Sequence, residues 1–254
     1  MPNLTAHFGM AKDVAKRLRH PVIDNYLGSF LLGSVSPDIR IITKNNRYDT
    51  HFVGLDFENH GSGVEGMFNA NPGLADSGAL NGPTKAFIVG YVSHLFADEF
   101  WILDFYRPYF GNLDVYQSTL VGQIMDRALQ LELDRREEIN IGGLNTLKPL
   151  IMNAEEGVDI GFISAETMTE WRKWIQVTLD WSFDWSRLSF MARRVVARHG
   201  DDLNLEAEGI VKTFLGSTTQ GIESIYKLVP ETKIDVFREK NINAVSKFAK
   251  EYLN

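Results

Sequence analysis

No stretch of the 254-residue chain alternates apolar and polar residues with the period of a half-buried strand, whereas apolar residues recur at helical spacing along most of it. That pattern excludes a sizeable sheet and predicts an all-α fold, a multi-helix bundle. Helices are predicted over 4–19, 22–33, 84–105, 113–138, 144–155, 164–199, 203–229 and 231–252, with a break in 164–199 near 181–184. In the first, Leu4, Phe8, Ala11, Ala15 and Leu18 share a face, Asn3 or Thr5 offers a cap, and Pro21 ends the run. Residues 39–83 contain seven glycines as well as Pro72 and Pro83, and are predicted as a long irregular loop region with a helical turn around Val64–Phe68. Loops of that length inside a compact chain are usually functional or partly disordered. The chain is read as a single all-helical domain, 1–254, with the chemistry in 1–140 and a helical extension, 141–254, packed on it.

Composition narrows the chemistry. There is no cysteine, so disulfides, thiolate metal sites and cysteine nucleophiles are excluded. Any metal must be held by His, Asp, Glu, backbone or water. The formal net charge is -7 and the pI about 5.4, which argues against a nucleic-acid partner held by bulk electrostatics. A phosphate-containing substrate stays open, because a metal ion can supply local positive charge. The N-terminal segment lacks the basic-then-apolar layout of a signal peptide, and no segment approaches ~18 uninterrupted apolar residues. A cytoplasmic address without stable membrane insertion is therefore expected.

His94 and Asp98 are spaced i, i+4 on the predicted 84–105 helix, so an imidazole and a carboxylate lie one turn apart on one face. Such a pair can share a metal ion, or the carboxylate can simply orient a core histidine. Three further residues precede it: His7 among apolar residues of the first helix, Asp38 after Pro37 at a helix end, and His51 after Thr50 in the loop region. Each alone has an ordinary explanation, as a core histidine, a turn cap and a loop residue. As a set, these nitrogen and oxygen donors suit zinc and would also accept manganese or iron.

Four blocks carry a resemblance: Thr5-Ala6-His7, Gly33-Ser34-Val35-Ser36-Pro37-Asp38, Thr50-His51-Phe52, and Gly90 through Asp98. In this order and at these separations, the chain resembles the zinc-dependent phospholipase C family over roughly residues 4–105. The resemblance implies a helical phospholipase C-like fold with up to three zinc ions in a cleft. It implies that Asp38, His51, His94 and Asp98 hold one metal and that His7 holds a second, with Asp98 bridging. In that family the mature N-terminal amine completes the second site. It also implies hydrolysis of a phosphoester by a metal-activated water, with Asp38 aiming or deprotonating that water.

Two departures from the family pattern are visible. No histidine lies between His94 and His199, so a third metal would have to use Asp104 or Asp126. Ile39 stands where a choline-specific enzyme is expected to offer an aromatic wall, although Tyr48 is nearby. Arg40 and Arg47 are candidates for contacting substrate phosphate, and His60 for a proton donor or a neighbour of the ligands. His20 and His199 are read as favoured by helix C-terminal dipoles, with no assigned role. Trp171, Trp174, Trp181 and Trp185 fall near one helical stripe, expected in the core or at a homo-oligomer contact. The run Asp134–Glu138 (DRREE) reads as a solvated helix end. The substrate expected is a lipid or small-molecule phosphoester. The alternative is a non-catalytic metal-binding or interaction protein whose site is structural.

Overall fold

The computed structural model describes residues 1–197 and 201–254, which form helices and turns with no strand. The helices that build the core are α1 (Leu4–Leu18), α2 (Leu27–Gly33), α3 (Gly82–Trp101), α4 (Thr119–Ile141), α5 (Ala165–Thr178), α6 (Arg187–Val196), α7 (Asn204–Gly216), α8 (Thr218–Leu228) and α9 (Thr232–Tyr252). The all-α expectation holds. The predicted boundaries differ where the chain breaks without a strong signal. The expected 22–33 helix is split at Tyr26, whose backbone leaves the helical region, into Pro21–Asn25 and α2. The expected 113–138 helix is split at Gln117, which takes a left-handed conformation before Ser118 caps α4. The expected 203–229 helix is likewise split at Ser217.

The 39–83 region is less irregular than predicted. It contains short helices Arg40–Thr43, Tyr48–His51 and Ser62–Ala70, plus single turns at Pro72–Leu74 and Ser77–Ala79. At the other end of α3 the helix does not stop at Phe105. It widens into a π-helical segment, Ile102–Phe110, that carries Pro108 inside it, and the Gly111 amide donates to the Tyr106 carbonyl at 2.6 Å. The α3–π unit, Gly82–Phe110, is long and apolar enough to cross a membrane by composition alone, but 89% of its apolar window is buried, as in a core helix.

The apolar residues form two clusters, and α3 runs through both. Ala86 to Leu95 pack with α2, Leu144–Leu179 and the C-terminal half of α9. Ala97 to Phe105 pack with α4, α6, α7 and the N-terminal half of α9. Helix α1 is divided in the same way, with Ala6 and Met10 on one cluster and Phe8, Ala11 and Val14 on the other. Residues 141–254 thus supply part of both clusters. The tryptophans do not form one stripe. Trp171 is buried with Trp174 stacked on it, Trp181 is 55% exposed, and Trp185 belongs to the other cluster.

The DRREE run is a correction. Asp134 and Glu137 are each 1% exposed. The Asp134 carboxylate accepts from Asn3 Nδ2 at 2.9 Å and from the Ala6 amide at 3.3 Å. It therefore caps α1 from across the molecule, a task that neither the Asn3 nor the Thr5 side chain performs. Burial raises the Asp134 pKa to about 6. Glu137 meets Arg238 of α9. His20 is also corrected: its ring Nδ1 accepts from the Val22 amide at 3.3 Å, so it caps the start of the next helix rather than the end of α1. His199 lies outside the described residues.

Helices α2 and α3 cross with their backbones in contact, and two glycines allow it. A Cβ on Gly33 would overlap the Phe87 carbonyl, and one on Gly90 would overlap the Phe30 carbonyl. Gly90→Ala is expected to lower stability by about 1–3 kcal/mol through overpacking. Gly209→Ala, on a helical position with open space around it, is expected to raise stability by about 0.5–1 kcal/mol. Urea midpoints of the two variants decide: a Gly90→Ala midpoint at or above wild type contradicts the close crossing.

Candidate metal centre

The seam between the two apolar clusters is where the polar residues gather. His94 and Asp98 lie on α3 where its packing passes from one cluster to the other, and His7 lies at the corresponding point of α1. His7, His51 and His94 are at most 1% exposed, and Asp98 is 1% exposed. The Asp98 carboxylate is the centre of the group. His7 Nε2 lies 3.6 Å from Oδ1, and His51 Nε2 and His94 Nε2 lie 3.2 and 3.7 Å from Oδ2. The His7 and His94 rings are stacked 3.8 Å apart, and His51 meets His94 edge-on at 5.4 Å.

Two of the imidazoles are oriented by a contact on their other side. The Ser34 carbonyl accepts from His94 Nδ1 at 3.0 Å; a carbonyl cannot donate, so the His94 proton sits on Nδ1 and Nε2 presents a lone pair. His51 Nδ1 is 3.0 Å from Thr50 Oγ1. Thr50 and His51 end the short Tyr48–His51 helix, which Phe52 stops by taking a left-handed backbone (φ 59), a strained choice for an aromatic residue. The Tyr91 hydroxyl, one turn before His94, donates to the Thr50 carbonyl and ties this turn to α3. His7 is held through the Asp134 cap on its helix. The block Gly33 to Asp38 does two jobs: Gly33 admits α3, and Ser34 aims His94.

Charge states follow from this packing. Burial, then the neighbouring His7, pushes His94 well below the usual imidazole pKa; burial also lowers His51. Burial alone would raise Asp98, but His94, His51, His7 and Arg47 together hold it well below the usual carboxylate range. Asp38, half-buried, is raised by burial and by the like charge of Asp98. The Met1 amine is buried beside Asp98 and Asp126, and burial lowers its pKa to about 5.

His7 Nε2, His51 Nε2, His94 Nε2 and Asp98 Oδ1 are buried and make no hydrogen bond. Unpaired buried polar atoms cost ~1–3 kcal/mol each, so such a convergence needs an explanation. One donor atom from each of His7, His94 and Asp98 falls within 4.8 Å of the others, and the same holds for Asp38, His51 and His94. The donors are imidazole nitrogen and carboxylate oxygen, the chemistry of a zinc site. The residues present fit a divalent metal.

Of the remaining residues singled out in the sequence, Arg47 reaches this group and the others do not. Asp104 pairs with Lys240 at 2.8 Å and faces His60 at 3.7 Å, and His60 packs on the Phe100 ring. Asp126 is buried, and both its oxygens are engaged: Trp101 Nε1 and Gln130 Nε2 donate to it, each at 2.8 Å. Neither carboxylate is a free ligand. Arg47 is buried rather than facing a substrate, and donates to Asp98 Oδ2 at 3.2 Å. Tyr48 is exposed. Arg40 lines a cleft of about 320 Å³ that also exposes Asp38.

Two positions escaped the sequence reading. Tyr91 stood inside the Gly90–Asp98 block with no role assigned to it. Glu99, next to Asp98, is 1% exposed and accepts from the Gly61 amide and, at 2.5 Å, from the Gly63 amide, pinning the 61–63 turn to α3. A carboxylate in the middle of an apolar helix was the available signal.

Fold and site together define an all-helical protein with a buried His/Asp cluster suited to a divalent cation. Residues 6–101 match the family model described as zinc dependent phospholipase C. The match covers less than half of the chain, and it contains His7, Asp38, His51, His94 and Asp98. No curated protein and no solved structure matches the chain.

Burial raises the Glu99 pKa from 4.5 to about 7. A folded-state pKa above the unfolded value means stability is fullest below 4.5 and is lost as pH rises toward 7. In chelated, metal-free protein, Glu99→Gln is expected to remove a loss on the order of 1–3 kcal/mol across that window. Urea unfolding at both ends of the window tests this: equal slopes in wild type and variant would show that Glu99 does not titrate there.

Proposed function

We propose that the protein is a metal-dependent phosphoester hydrolase of phospholipase C type, with zinc as its metal. The observation that carries the reading is the convergence of three orphaned imidazole Nε2 atoms on one buried carboxylate. His7, Asp38, His51, His94 and Asp98 would hold the metal, His94 belonging to both groups of donors and Asp98 facing His7 with one oxygen and His51 with the other. Bound zinc supplies Lewis acidity toward phosphoryl oxygens and acidifies water toward neutral pH.

The protein's own residues do the rest. Ser34 fixes the His94 tautomer that ligation requires, and Thr50 orients His51. Arg47 balances the Asp98 charge by donating to Oδ2 at 3.2 Å. Asp38 both approaches the ligand group and lines the cleft, so it is the carboxylate positioned to orient an attacking water and accept its proton. The apolar clusters on both sides keep bulk water from the ligands. The open cleft favours this reading over a closed structural site, whose ligands would leave no route for substrate. The substrate is a phosphoester, whether of a lipid or of a soluble molecule.

Metal analysis after purification without chelator, paired with hydrolysis of bis(4-nitrophenyl) phosphate, tests the reading. Wild type should carry zinc and hydrolyse the diester, a chelator should abolish turnover, and His94→Ala/Asp98→Ala should retain neither property. Equal, negligible metal in both proteins would sink the metal centre. Metal-loaded wild type without any phosphoesterase activity would sink the hydrolase. Asp38→Asn, which keeps an oxygen donor for the metal but loses the base, should lose about 10²-fold or more in kcat at equal metal content; a kcat equal to wild type would remove Asp38 from the proton step.

A further inference from the structure

The cleft beside Asp38 is basic in a chain that is acidic overall. Arg40, Lys44, Arg127 and Arg194 line it, against Asp38 alone among carboxylates, whereas the whole chain has 33 acidic and 26 basic residues. These cations come from three distant parts of the sequence: the Arg40–Thr43 turn and its cap, α4, and α6. Their convergence is a product of the fold and not of a local charge run.

The cations are largely free of acidic partners, although Lys44 Nζ donates to the Ile41 carbonyl of its own turn at 2.5 Å. Among the described residues, Arg40, Lys44 and Arg194 have no carboxylate partner, while Arg17, Arg135, Arg136, Arg172 and Arg238 are all ion-paired. Arg194 rests over the Phe190 ring with its centre 5.7 Å away. Arg127 donates to Gln130 at 2.8 Å and reaches Asp126 only at 3.9 Å. Like charges crowded into a cleft repel one another unless an anion lies between them. The scissile phosphoryl group does not account for four of them, because the proposed metal centre, reached through Asp38, supplies its positive charge.

We infer that this cleft recognises a second anionic group of the substrate, so that the substrate is a phosphoester bearing at least one further phosphate. Arg127 and Arg194 would grip that group, since guanidinium forks match phosphate oxygens two at a time. Arg40 and Lys44, closest in sequence to Asp38, would bridge toward the phosphoryl at the metal centre. A cavity of about 320 Å³ holds a phosphorylated sugar or polyol. The inference rests on the hydrolase reading for what the anion is attached to, but the anion contact can be measured by itself.

The test is calorimetry on metal-loaded protein with fructose 1,6-bisphosphate and fructose 6-phosphate as probes. Wild type should bind the bisphosphate at least about tenfold more tightly, and Arg127→Gln/Arg194→Gln should erase that preference. If that variant fails to fold by circular dichroism, Lys44→Gln/Arg194→Gln should reduce the preference in the same direction. Equal affinity for the two probes, a preference that survives both variants, or no binding would overturn the second-anion site. Diffuse steering by positive charge would accelerate both probes without a lasting preference, and so counts against the site. Co-sedimentation with phosphatidylcholine vesicles containing either phosphatidylinositol or its 4-phosphate separates the sources. Pelleting only with the 4-phosphate assigns the group to a lipid headgroup, and bisphosphate binding without pelleting assigns it to a soluble ester. Hydrolysis of bis(4-nitrophenyl) phosphate, which lacks a second anion, is measured alongside. If it is absent while the bisphosphate preference holds, the hydrolase reading fails and the anion site stands.

Discussion

The buried charge of Asp98 is the constraint on which the rest depends. A carboxylate removed from water is costly unless positive or donating groups surround it. Around Asp98 those groups are Arg47 and three imidazoles, supplied by α1, by α3 itself and by the Arg47–His51 turn. Keeping them there demands the Asp134 cap on α1, the Ser34 carbonyl, the Thr50 hydroxyl and the Tyr91 tether. Yet the arrangement leaves the imidazole Nε2 atoms without hydrogen bonds. It is incomplete as an ion network and complete as a ligand set, so a bound divalent cation would stabilise the fold as well as the site.

The seam location has a further consequence. Had the ligands been placed on the outer face of one cluster, water would screen them. Between two clusters, the surroundings are apolar on both sides, and electrostatic terms gain strength accordingly. Two glycines in the α2–α3 crossing bring the Ser34 carbonyl close enough to fix His94. Backbone contact, helix register and imidazole tautomer are therefore one linked condition, and a change in the crossing reaches the ligand atoms directly.

The sequence made these ligands legible because their signals were local: an i, i+4 pair on a helix, a histidine on an apolar face, an acid after a proline. Asp104 and Asp126 carried equally suggestive positions, but each has a remote partner. Lys240 lies on the last helix and Trp101 on α3, while Gln130 meets Asp126 from one turn further along α4. Local pattern carries no information about such pairings. The DRREE run failed for the same reason, since its burial depends on α1 and α9 folding over it. Helix breaks at Tyr26 and Gln117 carry no glycine or proline to mark them, whereas the break at Ser217 follows Gly216, a stop signal that the reading passed over. The break between α5 and α6 was foreseeable because that helix would otherwise have been unusually long.

Charge is divided between interior and mouth in a way that each part alone would not reveal. Inside, Asp38 and Asp98 face Arg47, leaving a deficit of positive charge that a divalent ion would make good. At the mouth the balance reverses, with four cations and only the Asp38 carboxylate. If the mouth served only to neutralise the interior, one cation would suffice, and it would pair with Asp38. None of the four does so among the described ion pairs. On the reading proposed above, the mouth would be matched to charge arriving from outside and the interior to a metal, a local reversal within a chain whose net charge is -7.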